Sequence, residues 1–254
     1  MGVSMRGLDR PRLLAAVVLY GIVAILLHRL LSGTLVYYIN QRYAWLTWVA
    51  VAGLGAMALA LAGTAWRGAR HAGRPVHGVR VSWSALAVLA LPVAFGLAPE
   101  QPLGSAALGN REVAVASLPP TALQSTTAGR ATRSAASEAL GRSMLDWLVE
   151  FHVADDPDRF AGQEARITGF VSRDATLRAN QVRLTRFLLS CCVADAMAIG
   201  IVAEAGDLAL VPDDQWLTVR GRFKVDEIDG ERTPVLAAVE VSRIDPPPVP
   251  YLYY

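Results

Sequence analysis

AWLTWVAVAGLGAMALALAGTA, residues 44–65, runs for 22 residues without one ionisable side chain. At 1.5 Å rise per residue such a helix covers about 33 Å, enough to cross a hydrocarbon core about 30 Å thick. It has companions on both sides. Downstream, VSWSALAVLALPVAFGLAP, residues 81–99, is a further 19 residues without charge. Upstream, residues 13–27 are clean until His28 and Arg29 interrupt them. That run completes a crossing if Arg29 snorkels toward the interface and Leu30, Leu31 and residues 35–39 continue it. The sequence therefore predicts three membrane helices, at about 13–35, 44–66 and 81–99, forming an α-helical anchor over residues 1–100. A cleaved signal peptide is the alternative for the first run, but no small-x-small site follows it.

Arg6, Arg10 and Arg12 precede the first run and Arg67, Arg70, Arg74 and Arg80 crowd the loop between the second and third, whereas only Arg42 lies in the first loop. Basic short loops stay cytoplasmic. A plasma-membrane, multi-pass protein with a cytoplasmic amino terminus is expected, and three crossings deliver everything after residue 99 to the outside. Charge divides the chain at the same place. Up to Glu100 there are nine Arg against Asp9 and Glu100, while the remainder holds 15 basic and 20 acidic residues. An acidic, exported domain is a poor nucleic-acid binder, so the lipid bilayer is an expected partner and nucleic acid is not.

Residues 101–136 are rich in Ala, Ser, Thr and Gly, with Pro119-Pro120 at the centre and no periodicity, as in a flexible tether. Residues 137–254 resume structure. Ser137 is the expected N-cap of a helix carrying Leu140, Met144, Trp147, Leu148 and Phe151 at helical spacing. The pattern then changes to period 2 in five segments: around Ala165, Ile167, Gly169 and Val171, then 181–189, 197–203, 215–225 and 233–244. The last two flank Asp229-Gly230, a tight-turn signal. Five short strands, with a Gly late in the first, predict a small all-β barrel of the OB type; an immunoglobulin-like sandwich would want about seven. A Pro/Tyr-rich tail, residues 245–254, follows. Three Tyr in its last four positions need somewhere to pack, on the barrel, on a partner or at the membrane interface.

Chemistry concentrates after the second strand, in Cys191-Cys192-Val193-Ala194-Asp195, which holds both cysteines of the chain. Two thiolates and a carboxylate suit a zinc-like ion. Adjacent residues of a regular strand face opposite ways, so convergence on one ion requires the strand to end there. A vicinal disulfide and buried thiols are the alternatives. Adjacent cysteines, as opposed to Cys-x-x-Cys, argue against a thiol oxidoreductase. No Gly-rich phosphate loop, His-Glu-x-x-His helix or Gly-x-Ser-x-Gly elbow is present, so no enzyme is expected. Of His28, His71, His77 and His152, only His152 stands away from the membrane edges, at the end of the amphipathic helix. Asp155, Asp156 and Asp158 lack the Gly and distant Glu of a calcium loop.

Gly162, Gly169-Phe170-Val171, Arg186-Phe187, Cys191-Cys192-Val193-Ala194-Asp195, Asp214-Gln215-Trp216, Gly221 and Pro250-Tyr251, spread over about residues 147–251 behind membrane helices and a tether, resemble the YcgQ-type family of bacterial permease subunits. The resemblance implies a small membrane protein working beside a separate polytopic permease-like partner. Many members have two amino-terminal spans and a His-rich tether. The third apolar run and the His-free tether here depart from that pattern and weaken a metal-handling role. The expected function is an accessory subunit of a membrane transport system; a stand-alone metal-binding module using Cys191, Cys192 and Asp195 is the alternative.

Overall fold

The computed structural model describes residues 10–70, 83–109 and 141–253. They form two compact units, Met1–Gln101 and Pro102–Tyr254.

The first unit is helical: α1 (Arg10–Ser32), α2 (Ala44–Arg70) and α3 (Trp83–Gly96). Leu13 shares a small cavity with Leu59, Ala62, Gly63 and Trp66, which sets the start of α1 against the end of α2. Gly21 faces Val93 and Ile25 packs on Gly96, so α1 and α3 run in the same direction. A Cβ on Gly96 would stand 2.8 Å from Ile25 Cδ1; its absence lets the two helices approach. Among the described residues, two helices, over Leu13–Ser32 and Gln41–Trp66, are long and apolar enough to cross a membrane.

Two expectations about this unit are corrected. The third span is not shown: α3 has 14 residues, about 21 Å, and contains Pro92, while residues 81 and 82 lie outside the described residues. Nor does the first span continue through residues 35–39. Gly33 takes a left-handed φ of 77°, which ends α1, and Thr34–Tyr37 form a 3-10 turn. Arg29 does not snorkel. It is 6% exposed, pairs with Glu100 and donates to the Gly96 carbonyl at 2.9 Å. The carbonyls left open at the end of α3 and the Glu100 carboxylate together offer this cation more than water at the interface would.

The second unit is a closed five-stranded barrel with a helix packed on its core. Helix α4 (Met144–Val153) begins in a capping box: the Ser143 hydroxyl accepts from Asp146 N–H at 3.2 Å and the Asp146 carboxylate accepts from Ser143 N–H at 2.9 Å. The cap is Ser143; Ser137 lies outside the described residues. Trp147 is fully buried, edge-on to Phe223 at 4.9 Å between ring centres, and belongs to one core with Leu148, Ile167, Leu184, Ile201 and Leu236.

The strands are β1 (Glu164–Ser172), β2 (Gln181–Leu189), β3 (Met197–Glu204), β4 (Trp216–Ile228) and β5 (Glu231–Ile244), with a short β6 (Leu252–Tyr253). β1 pairs with both β2 and β4, β4 with β5, β5 with β3 in parallel, and β3 with β2, which closes the barrel. Glycines make the sharp curvature possible. A Cβ on Gly169 would lie 2.9 Å from the Thr185 carbonyl oxygen across the β1–β2 seam. One on Gly221 would collide with the Ala237 carbonyl at the point where the β4–β5 register slips. Asp229 and Gly230, at φ 55° and 78°, join β4 and β5 by a two-residue turn whose twist matches the strands.

The tether assigned to 101–136 falls largely on residues outside those described. Residues 102–109 pack on the barrel: Leu103, Ala107 and Leu108 join Phe170, Phe187, Leu189 and Trp216 in a second cluster. Ser105 Oγ donates to Asp214 at 2.7 Å.

Candidate functional site

β2 ends at Leu189, and Leu188 opposite Met197 is the last rung of its ladder with β3. The chain then turns at Ser190-Cys191, and Val193–Asp195 forms a 3-10 turn. Asp195 organises this reversal. One of its carboxylate oxygens accepts from Ser190 N–H at 3.0 Å, the other from Cys191 N–H at 2.7 Å and Cys192 N–H at 3.3 Å. Val193 packs on the second cluster below. Because the motif has left the strand, its side chains converge: the two Sγ atoms are 3.7 Å apart, and both thiols and a carboxylate oxygen of Asp195 lie within 4.8 Å of one another.

The site is electrostatically closed on itself. Its hydrogen bond to Asp195, and next that to Cys192, push the Cys191 thiol up to about 12, so it is protonated at neutral pH. Partial burial works against ionisation of Asp195, but the Cys191 thiol and three backbone N–H groups outweigh it and hold the carboxyl below its ordinary range. A protonated thiol is a weaker nucleophile than a thiolate. It remains a competent ligand, since a soft metal displaces the proton. The cysteines are free thiols, not a disulfide.

His152 ends α4 and is exposed, outside this group of ligand atoms. His71 and His77 fall outside the described residues. The acidic run is a built turn: Asp156 accepts from Asp158 N–H at 2.9 Å, and Asp158 pairs with Arg232 at 2.6 Å.

The tail packs on the barrel, and that seat takes up most of the other motif residues. Tyr251 is buried, and its hydroxyl accepts from Leu103 N–H at 2.8 Å. Leu252 and Tyr253 extend the sheet beside Leu188 and Leu189, so this part of the tail lies alongside the strand that leads into the cysteines. Arg186 donates to the Val249 carbonyl at 2.7 Å and the Pro250 carbonyl at 3.0 Å, and lies over the Trp216 ring at 5.9 Å. Burial lowers its pKa to about 10. Phe187 meets Tyr251 edge-on, and Phe170 stacks on Phe187. Arg186-Phe187, Trp216 and Pro250-Tyr251 thus hold the tail and stay structural. Sequence reading missed Arg183: it alternates with apolar residues like any outward-facing side chain, yet it is buried.

Residues 14–114 match the DUF1980 N-terminal domain and residues 142–254 the DUF1980 C-terminal domain. The UPF0703 protein YcgQ of Bacillus subtilis is 25% identical over 99 residues, 38% of this chain and 35% of that protein, so the match spans about a third of its length. A Streptococcus mutans protein named "Putative two-component membrane permease complex subunit" is 24% identical over 257 residues, 88% of this chain and 92% of that one. Among solved structures, a small single-stranded DNA-binding protein from Streptomyces coelicolor matches at 16% identity and a TM-score of 0.21, over 33% of this chain and 94% of that chain; a likeness this low adds nothing to the fold above. With both domain models matched in order along the chain, this protein belongs to the DUF1980 family.

Proposed function

We propose that this protein is a non-enzymatic accessory subunit of a bacterial membrane permease complex, with its barrel domain outside the cytoplasm. The observation that carries the reading is the match along nearly the whole chain to the Streptococcus mutans protein bearing the permease-subunit name. The helical unit adds to it. Trp45, Trp48, Leu59, Val88 and Phe95 are all at least half exposed, a distribution that suits lipid or a partner helix and not water. On α2, Ala52, Ala56, Ala60 and Thr64 are exposed at every fourth position, leaving a small-residue face that α1 does not use. The parallel course of α1 and α3 places Glu100 beside Arg29, at the end of α1 opposite its Arg-rich start. Under the positive-inside rule that end is extracytoplasmic.

Affinity purification of the full chain from native membranes tests the reading. The expected outcome is a stoichiometric polytopic membrane protein whose recovery falls when Ala56 and Ala60 are replaced by Leu, and a reporter after Glu100 that behaves as extracytoplasmic. Purification of the chain alone, or a cytoplasmic reporter, overturns it.

A second reading, a metal-binding module, is favoured by one distance. Two sulfurs bound to one tetrahedral zinc at about 2.3 Å stand about 3.8 Å apart, close to the 3.7 Å here. Cys191, Cys192 and Asp195 would supply three ligands, and water or the partner a fourth. Because the Cys191 thiol starts protonated, zinc uptake should release protons and strengthen as pH rises. Metal analysis and non-reducing mass spectrometry should give about one zinc per chain, lost in both Cys191→Ser and Cys192→Ser. Wild-type protein carrying no metal, or carrying a Cys191–Cys192 disulfide, removes this reading.

A further inference from the structure

Away from the thiols, the outer face of the barrel holds a cavity of about 640 Å³, within the range of small-molecule sites. Its walls are the β1–β2 loop, the β4–β5 hairpin and residues 105–109, and its charged lining is Arg173, Asp174, Arg183, Asp213, Asp229 and Glu231. Two of the four acids are already used. Arg173 pairs with Asp213 at 2.6 Å through Nη1 and donates from Nη2 to the Leu208 and Val211 carbonyls. Arg183 gives Nε and Nη2 to Asp174, at 3.2 and 2.9 Å.

Among the described residues, one buried donor of this lining lacks a hydrogen-bond partner and two exposed carboxylates lack an ion pair. Arg183 is 5% exposed, and its Nη1 has no hydrogen-bond partner. Buried guanidinium nitrogens are normally satisfied, because losing water without gaining an acceptor is costly. Across the cavity, the carboxylates of Asp229 and Glu231 make no ion pair among the described residues. The fold also makes room for the arginine. A Cβ on Gly200, which pairs with Thr185 across the β2–β3 ladder, would come within 2.7 Å of the Arg183 Cγ and 2.9 Å of its Cδ. Glycine there lets the side chain lie down along the sheet and bring its head to the cavity. Below it the Ser172 and Thr185 hydroxyls are paired with each other at 2.7 Å, leaving Arg183 as the unsatisfied group of the floor.

We propose that this cavity binds a small zwitterion of amino-acid or dipeptide size, its carboxylate on the open donor of Arg183 and its ammonium toward Asp229 and Glu231. The two open acids give the lining a net negative charge, which rejects a simple anion, while the buried guanidinium rejects a simple cation. A ligand bearing both charges satisfies both ends. The inference rests on the barrel unit and is independent of the permease assignment.

Isothermal titration of the full chain in nanodiscs tests it, with L-alanine and L-alanyl-L-alanine as probes and acetate and ethylamine as half-molecules. The expected result is saturable binding of at least one zwitterion with Kd about 1 mM or tighter, and at least about tenfold weaker binding of acetate and ethylamine. Asp229→Asn with Glu231→Gln, both at an exposed hairpin, should weaken the zwitterion about tenfold at unchanged thermal stability. Gly200→Ala should do likewise by displacing the Arg183 stem, which keeps the test informative if Arg183→Met fails to fold. No binding of either zwitterion, half-molecules that bind as well, or undiminished binding by the double variant overturns the proposal.

Discussion

Trp48 and Trp147 are the same side chain under opposite rules. In the helical unit Trp48 is 52% exposed, while the residues buried between helices include Ala15, Ala16, Ala58 and Ala65. In the barrel unit Trp147 is wholly buried among Phe, Leu and Ile. Large side chains face out where the surroundings are lipid, because lipid tails are as apolar as leucine and small residues let helices approach. They face in where the surroundings are water. Polar groups divide in the same way. Arg29 in the helices is covered and neutralised by Glu100, whereas the barrel keeps most of its ion pairs on its surface, as between Arg178 and Asp226.

This contrast can be broken most directly at the two tryptophans. Trp147→Ala should destabilise the barrel by about 3–5 kcal/mol, the range for emptying an aromatic core site. Trp48→Ala should cost under about 1 kcal/mol in a bilayer-like medium, as expected away from a packed core. Denaturant unfolding of the full chain in nanodiscs, followed by barrel fluorescence and helical dichroism, separates the two. Similar losses at both sites would mean that α2 is packed inside protein after all.

The next effect concerns charge under cover. Glu100→Gln leaves the Arg29 guanidinium nearly buried without a counter-charge, and should cost about 3 kcal/mol. The loss should appear as detachment of α3 from α1, read by crosslinking between cysteines introduced at positions 21 and 93. An unchanged crosslink yield would show that the Gly96–Ile25 packing suffices without the pair.

The smallest effect is the exposed counterpart. Hydrogen bonding to Arg178 is the main cause that depresses Asp226, to about 2 from an ordinary 3.8. A depressed carboxyl stabilises the fold above its unfolded pKa and loses that contribution as pH falls through the folded one. Barrel stability should therefore be level with respect to this group above about pH 4, and fall between about pH 4 and 2. Asp226→Asn should flatten that limb and leave neutral-pH stability within about 1 kcal/mol. A steeper acid limb in the variant would assign the transition to other carboxylates.

Much of both units is legible from residues alone. The period-2 segments, the Asp229-Gly230 turn and Gly169 locate the barrel, because alternation, turn conformation and close approach are local demands that particular residues meet. The lengths and apolarity of residues 13–32 and 44–66 mark them as membrane-compatible for the same reason. The convergence of Cys191, Cys192 and Asp195 was readable as soon as the strand was taken to end before them.

What only the tertiary structure decided are the cases where partners come from far along the chain. Glu100 and the α3 carbonyls, about 70 residues away, override the interface preference of Arg29. The segment at 102–109 and the tail at 249–253 cover the outer face of β2, burying Phe187 and half-burying Arg186 where alternation predicts solvent. Gly200 creates the space into which Arg183 folds. Hydrophobic periodicity reports which face of an element is apolar, and therefore says nothing about a polar face that the fold later covers.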